Sequence, residues 1–234
     1  MSKAILMTPG IDSLSTYILA NDPAILPVYF DIKSKYSRAE LTALHTLFMT
    51  GILKTETLTD NSINLEKMET KSAFVPYRNL MLILLASYYA TDIIIGYVSG
   101  DNVSDNSIQA HKDFEQTLNK YGDGEKYQVL TPKDVIGLDY HPTKTDLIKL
   151  VIERKGRAFA QSLLDNSYSC YTGGIRECKK CAACFRKYVS GKVAGLEISF
   201  DNPELIEEYK IKMTQPNAVE IYGEARVRDT LTII

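Results

Sequence analysis

The chain has 234 residues, of which 45% are hydrophobic and 24% charged; this balance is typical of globular proteins and excludes disordered, collagen-like and coiled-coil classes. Its 27 Lys and Arg residues against 29 Asp and Glu residues give a formal net charge of −2, so no general positive charge attracts it to nucleic acid. Any polyanion must therefore be bound by a local site. The longest apolar stretch is shorter than the roughly 20 residues that a membrane span requires, and the N-terminus lacks a signal-peptide core. We therefore expect no membrane partner and a cytoplasmic location.

The first part of the chain alternates short apolar runs with helical patterns. Residues 4–7 and 25–30 predict strands, and each is followed by apolar residues at helical spacing. Residues 37–40 read as a capping box that opens the second helix. A weaker strand is predicted at 55–58, before a polar loop over 59–72.

The same alternation continues through the middle of the chain. Residues 77–90 predict an apolar helix, and the β-branched run at 93–96 is typical of a strand that is buried on both faces. A polar loop follows at 97–107. The later elements are predicted as a helix at 108–118, a strand at 128–131, and a helix at 143–155 that begins with a Thr143–Asp146 capping box.

Strands separated by helices of this length predict an α/β fold with a parallel sheet and helices on both faces. After Cys184 the pattern changes. There we expect a short helix, a charged stretch at 204–212, and a β-rich tail at 230–234 that serves an oligomer interface.

The loop after the first strand, residues 8–13, reads TPGIDS. In open α/β sheets ligands bind beyond the carboxyl ends of the strands, where a helix offers free N–H groups and the positive end of its dipole. Thr8 and Ser13 supply hydroxyls, Gly10 permits a tight backbone path, and Asp12 suits the Mg²⁺ of a nucleoside triphosphate. The Walker A and dinucleotide glycine patterns are missing. A phosphate-binding loop and an ordinary turn capped by Asp12 or Ser13 therefore both stay open.

Four cysteines lie close together, with the spacing C-x7-C-x2-C-x2-C. They are Cys170, Cys178, Cys181 and Cys184. Reducing conditions in the cytoplasm disfavour disulfides, and four thiolates match the closed tetrahedral shell of structural zinc. Free cysteines or an iron–sulfur cluster are the alternatives, although a cluster usually has other spacings. Since four thiolates leave no open coordination position, we expect the zinc to hold a loop in place.

Six segments, in order from about residue 3 to residue 190, resemble the 7-cyano-7-deazaguanine synthase family (QueC). They are TPGIDS, YFDIKSKYSRAEL, VPYRNLMLILLASYYA, IIIGYVSGD, HPTKTDLIKL, and SCY with the three further cysteines. The cysteine motif and VPYRN are the most specific. The resemblance implies the ATP-pyrophosphatase group and its adenine-nucleotide α-hydrolase-like, Rossmann-like fold. It implies a nucleotide-binding α/β domain over 1–160, with a zinc-binding, helical or irregular C-terminal region packed on it over 161–234.

The resemblance also implies an activity. The family's enzyme would use ATP to adenylate the carboxylate of 7-carboxy-7-deazaguanine, let ammonia displace AMP to form an amide, and dehydrate the amide to a nitrile with a second ATP. ATP, Mg²⁺ and structural Zn²⁺ are the implied cofactors, with small-molecule substrates, no direct nucleic-acid partner and a homodimer. Two alternatives stay open: a related adenylating or amidating enzyme for another deazapurine or carboxylate, and a non-catalytic purine-binding homologue.

Site residues follow from the same resemblance. The implied catalytic residues are Asp12, Ser13, Arg78 and Lys144. Nucleotide contacts are implied for Thr8, Pro9, Gly10, Ile11, Asp12, Ser13, Asp31, Asn79 and Gly96, and substrate contacts for Arg78, Asp101 and Asp105. For Asp31, contact with a ribose or Mg²⁺ and capping of the turn after the second strand both stay open. Lys144 would neutralise charge between the α- and β-phosphates, and the fork of Arg78 would bind phosphate or carboxylate oxygens. For both residues, an exposed position at the start of a helix with no ligand is the alternative.

The chain departs from the family pattern in two places. Thr8 and Pro9 replace the first two residues of the family's Ser-Gly-Gly-x-Asp-Ser loop, and Pro9 removes one N–H donor. The family's Tyr-Pro-Asp-Cys-Arg stretch is replaced within 98–114, where Asp105 is the expected substitute for its Asp. No catalytic role is assigned to the isolated His45, His111 and His141.

Overall fold

The computed structural model describes residues 2–70, 74–101 and 104–234. Its centre is a five-stranded parallel sheet in the order β3-β2-β1-β4-β5. The strands are β1 (Lys3–Leu6), β2 (Ile25–Phe30), β3 (Leu58–Asp60), β4 (Asp92–Ile94) and β5 (Gln128–Leu130). The predicted α/β class and parallel sheet are confirmed, and the third strand begins three residues later than predicted.

Eleven helices are assigned within the described residues. They are α1 (Ile11–Ala20), α2 (Ser37–Met49), α3 (Arg78–Ala86), α4 (Ile108–Tyr121), α5 (Pro132–Ile136), α6 (Lys144–Lys155), α7 (Arg157–Asn166), α8 (Ala182–Val193), α9 (Pro203–Met213), α10 (Ala218–Tyr222) and α11 (Glu224–Ile233). Two short 3₁₀ turns lie at Glu66–Met68 and Ser104–Asn106. Helices α5, α7 and α10 are absent from the sequence prediction.

The sheet is buried on both faces. Alternation along β1 directs Ile5 to one face, where it packs with Leu14 of α1 and Leu147 of α6. Ala4 and Leu6 point to the other face, in the cluster that contains Ile83 of α3. Covering both faces explains why the strands read as continuous apolar runs.

The prediction of a β-rich tail at 230–234 is wrong, because residues 224–233 form helix α11. Val227 and Thr230 are buried on this helix, which packs against α8 and α9. Packing therefore overrides the strand preference of the β-branched residues near the C-terminus. The charged stretch at 204–212 is also helical, within α9, which has Asn202 as its N-cap and Pro203 in its first turn.

The two predicted capping boxes have opposite outcomes. Thr143 and Asp146 exchange hydrogen bonds at the start of α6, as predicted. Residues 37–40 form no capping box, since the N-cap of α2 is Tyr36, without a side-chain hydrogen bond. Glu40 instead accepts a hydrogen bond from the Tyr29 hydroxyl at 2.8 Å.

No helix among the described residues has the length and apolar character needed to cross a membrane. Residues 71–73 and 102–103, which belong to the predicted loops at 59–72 and 97–107, lie outside the described residues. The division of the chain at residue 160 stays a prediction.

Candidate functional site

A cleft lies beyond the carboxyl ends of β1 and β4, the two strands at which the connections of the sheet reverse direction. Such a switch point is where open parallel sheets bind ligands. Of the residues predicted from the sequence, it brings together Thr8, Gly10, Asp12, Ser13, Arg78, Asn79, Gly96, Asp101 and Lys144.

The loop at residues 8–13 forms one wall of the cleft. The Ser13 hydroxyl accepts a hydrogen bond from the Thr8 N–H at 3.1 Å and donates one to the Thr8 carbonyl at 2.8 Å. The backbone of Gly10, the N-cap of α1, is extended and carries no side-chain cap. The start of α1 therefore offers backbone N–H groups and the positive end of the dipole to an anion.

Pro9 is buried, and its carbonyl accepts the Tyr168 N–H at 2.8 Å. Its side chain is absent from the lining of the cleft. Ile11 packs into the core beside the sheet. Both residues therefore shape the loop from behind, and direct contacts with a nucleotide stay predictions for them.

Asp12 and Lys144 meet at the base of the cleft. The Lys144 Nζ atom lies 2.5 Å from Asp12 Oδ2, and both side chains are about one-fifth exposed, at 20% and 22%. The second oxygen, Asp12 Oδ1, is buried and has no hydrogen-bond partner among the residues that the structure describes. A buried carboxylate oxygen without a partner fits a Mg²⁺ ligand, so the residues present suit the predicted cation.

Arginines supply positive charge to this region. Arg78 Nη1 donates a hydrogen bond to the Tyr36 hydroxyl at 3.4 Å, and Arg186 of α8 lines the same cleft. Arg226 of α11 lies beside Arg186 and Asp101 in an adjoining cavity. Within the described part of the chain, none of the three arginines forms an ion pair with a carboxylate. Cations left unpaired in this way favour an anionic ligand.

Two further predicted residues lie outside the cleft lining. Asp31 accepts hydrogen bonds from the backbone and side chain of Lys33, at 2.9 and 2.8 Å, so it stabilises the turn after β2. Asp105 accepts the backbone and side-chain N–H groups of Asn79, both at 3.0 Å. It thereby fixes the start of α3, where Arg78 enters the cleft.

Glu40 is a cleft residue that the sequence analysis missed. Burial raises its pKa to about 7, although the hydrogen bond from Tyr29 and the charge of Arg78 oppose the rise. The sequence analysis assigned Glu40 to a capping box over residues 37–40, and it therefore did not predict Glu40 as a cleft residue. Other lining residues absent from the prediction include Tyr168, Ser169, Tyr171 and Arg186.

The four cysteines converge as predicted. Their sulfur atoms all lie within 4.8 Å of one another, and three of the separations are 3.5, 3.9 and 4.0 Å. Four thiolates at the usual zinc–sulfur distance of a tetrahedral site are about 3.8 Å apart. Backbone N–H groups of Cys178 and Lys180 donate to the cluster at 3.4 Å. The donor set therefore fits zinc.

The cysteine cluster is joined to the cleft through both of its chain segments. Tyr168 and Ser169 line the cleft immediately before Cys170, and Arg186 follows Cys184 on α8. The Lys187 ammonium lies 2.8 Å from both the Ser167 carbonyl and a Glu177 oxygen. A metal bound by the cysteines would hold this wall in position.

The buried Lys187–Glu177 pair leads to a stability prediction. The Lys187 side chain is only 4% exposed, and replacing it with methionine leaves the Glu177 carboxylate without its ion-pair partner, although the Ser169 N–H still donates to it. We expect a loss of about 3–5 kcal/mol in the free energy of unfolding, measured by urea denaturation of the zinc-loaded protein. Lys3→Met, which removes the exposed ion pair with Asp22, is the control and should leave the midpoint unchanged. An equally stable Lys187→Met variant would contradict this interpretation.

Gly96 leads to a prediction about the loop. A methyl group there would lie 3.1 Å from Ser13 N and 3.2 Å from Ser13 Cα, both backbone atoms. We expect Gly96→Ala to displace the loop, to destabilise the protein by about 1–3 kcal/mol, and to raise the KM for ATP. In the control, Gly10→Ala, the new methyl group contacts only the Thr8 hydroxyl. Thermal unfolding should therefore show a smaller loss of stability for Gly10→Ala than for Gly96→Ala. Equal losses in both variants would contradict the proposed crowding at Ser13.

Comparisons with known proteins identify the family of the chain. The family model described as "Queuosine biosynthesis protein QueC" matches residues 26–190. A relative from Archaeoglobus fulgidus, named 7-cyano-7-deazaguanine synthase, is 28% identical over 203 residues, which cover 84% of this chain and 76% of the relative. One of the same name from Methanobrevibacter smithii is 25% identical over 229 residues, which cover 83% of this chain and 95% of the relative. The family model ends before α9, α10 and α11.

Proposed function

Because the chain belongs to the family of queuosine biosynthesis protein QueC and is an enzyme of that pathway, we propose that it is an ATP-dependent ligase that forms carbon–nitrogen bonds. Its substrates are 7-carboxy-7-deazaguanine and ammonia, and its product is 7-cyano-7-deazaguanine, the compound in the names of its relatives. The reaction passes through an adenylated carboxylate and an amide.

The observation that carries the proposal is the pairing of Asp12 with Lys144 beside the uncapped start of α1. A carboxylate is a poor electrophile. Converting it to an acyl adenylate, a mixed anhydride with phosphate, provides AMP as a leaving group. The protein's part in this chemistry is to position the reactants and to neutralise charge. The N–H groups of α1 bind phosphate oxygens, and Lys144 neutralises charge between the α- and β-phosphates. Asp12 Oδ1 would hold the Mg²⁺ that accompanies the nucleotide.

The arginines complete the charge balance. Arg78 lines the same cleft as the loop, and its fork binds the substrate carboxylate or the α-phosphate. Arg186 binds the departing pyrophosphate. Zinc at the cysteines is structural, because four sulfur ligands leave no position for water. Homodimer formation and a cytoplasmic location stay predictions.

The test is to incubate the zinc-loaded protein with ATP, Mg²⁺, ammonium and 7-carboxy-7-deazaguanine, and to follow AMP release and the product mass. A nitrile supports the proposal. A product that stops at the amide indicates the related amidating enzyme, and the absence of AMP would leave a purine-binding homologue.

A further inference from the structure

The carboxyl group of Glu40 lines the same cleft as Asp12 and Arg78 but takes no part in the chemistry described above. Its Oε2 atom accepts the Tyr29 hydroxyl at 2.8 Å. No hydrogen bond to its Oε1 atom is formed by the described residues, and the side chain is half-buried at the wall of the cleft.

The other two carboxylates of the cleft are less suited to exchange a proton. Asp12 is paired with Lys144, and its remaining oxygen suits Mg²⁺. Asp101 accepts a hydrogen bond from Asn106 at 3.3 Å and lies on the side of Lys144 and Arg186. Glu40 alone among the three is held by a neutral hydroxyl.

We propose that Glu40 is the general base of the amide-forming step. The inference rests on the proposed function. When ammonia attacks the adenylated carboxylate, a carbon–nitrogen bond forms and the nitrogen becomes positively charged. Glu40 accepts one proton from that nitrogen, the carbon–oxygen bond to phosphate breaks, and AMP leaves with the electron pair. The products are the amide, AMP and protonated Glu40, which returns its proton to water.

The surroundings of Glu40 suit this role. Charged and titratable groups face it from β2, the turn after β2, the start of α2, α3 and the segment before the cysteines; they are Tyr29, Asp31, Tyr36, Arg78 and Tyr168. Burial raises the pKa of Glu40 to about 7. A base with a pKa near the working pH accepts a proton readily and releases it again. Because the base acts when deprotonated, the rate should rise with pH through about 7.

The experiment separates adenylation from amide formation. Exchange of labelled pyrophosphate into ATP, which depends on 7-carboxy-7-deazaguanine, reports adenylation. Amide formation is measured at constant free ammonia across a pH series. We expect Glu40→Gln to retain exchange within about threefold, to lose about 10²-fold in amide formation near pH 7, and to lack the rise with pH. Hydroxylamine, whose conjugate acid is far more acidic than ammonium, should still trap the adenylate in this variant.

Tyr29→Phe is the matched variant. The Tyr29 hydroxyl lowers the pKa of Glu40 by its hydrogen bond, so its removal should move the rise to higher pH without abolishing it. If Glu40 had a purely structural role, Tyr29→Phe would not shift the dependence of the rate of amide formation on pH. The proposal is overturned if Glu40→Gln lowers exchange and amide formation in the same proportion, or if it leaves amide formation unchanged. Failure of the proposed function would be distinct, since the wild-type protein itself would then show no exchange.

Discussion

Replacing Lys144 with alanine is expected to lower the rate of pyrophosphate exchange by about 10²–10³-fold, the usual loss when one preorganised donor to developing charge is removed. The Lys144 ammonium lies at the first residue of α6, held there by the Thr143–Asp146 capping box, and lies 2.5 Å from Asp12 Oδ2. Because the lysine acts on charge that grows in the transition state, the loss should fall mainly on kcat. The measurement is steady-state exchange as ATP is varied.

Lys149→Ala is the matched control for Lys144→Ala. Lys149 lies on the same helix but is exposed, so its replacement should leave both exchange and thermal stability unchanged. If Lys144→Ala kept its exchange rate while remaining folded and zinc-loaded, the assignment of the phosphate site to this end of the sheet would be wrong.

Loss of zinc is expected to have the second large effect. Replacing Cys178 with serine removes one of four thiolates that lie within 4.8 Å of one another. We expect less than a tenth of the wild-type zinc content, a thermal midpoint lower by about 10 °C or more, and loss of exchange activity. Metal binding stabilises the folded state only, and the cysteine segments carry Ser169 and Arg186 into the cleft.

A chelator provides the matching reversible experiment. Removing the metal from the wild-type protein should reproduce the lower midpoint, and adding Zn²⁺ should restore both the midpoint and exchange in the wild-type protein but not in Cys178→Ser. Native protein with no bound metal and full activity would contradict a structural zinc site.

Local patterns in the sequence predicted the fold because the relevant forces are local. Continuous apolar runs indicate strands that are buried on both faces, and the start of α6 is determined by two side chains three residues apart. The prediction for the C-terminal tail failed for the opposite reason, since the burial of Val227 and Thr230 of α11 depends on tertiary contacts with distant helices.

The candidate site shows the same division. The loop, Lys144 and the cysteines are visible as motifs, whereas Glu40 and Arg226 reach the region only through tertiary packing. Glu40 illustrates the limit most clearly: residues 37–40 satisfy the spacing of a capping box, yet the carboxylate gains a hydrogen bond from Tyr29 across the interface between α2 and the sheet. The spacing of residues 37–40 is compatible with a hydrogen bond to the local backbone and equally with one to a residue distant in sequence, so the sequence alone does not identify the partner of Glu40.

The central claim is that the turn at residues 8–13 binds the phosphates of a nucleotide although it contains Pro9. Its most direct test is a crystal structure of the zinc-loaded protein with Mg²⁺ and a non-hydrolysable ATP analogue. We predict phosphate oxygens at the N-terminus of α1 and next to Lys144 Nζ, with Asp12 Oδ1 bound to Mg²⁺. A nucleotide bound elsewhere, with no phosphate oxygen contacting this turn, would contradict the account.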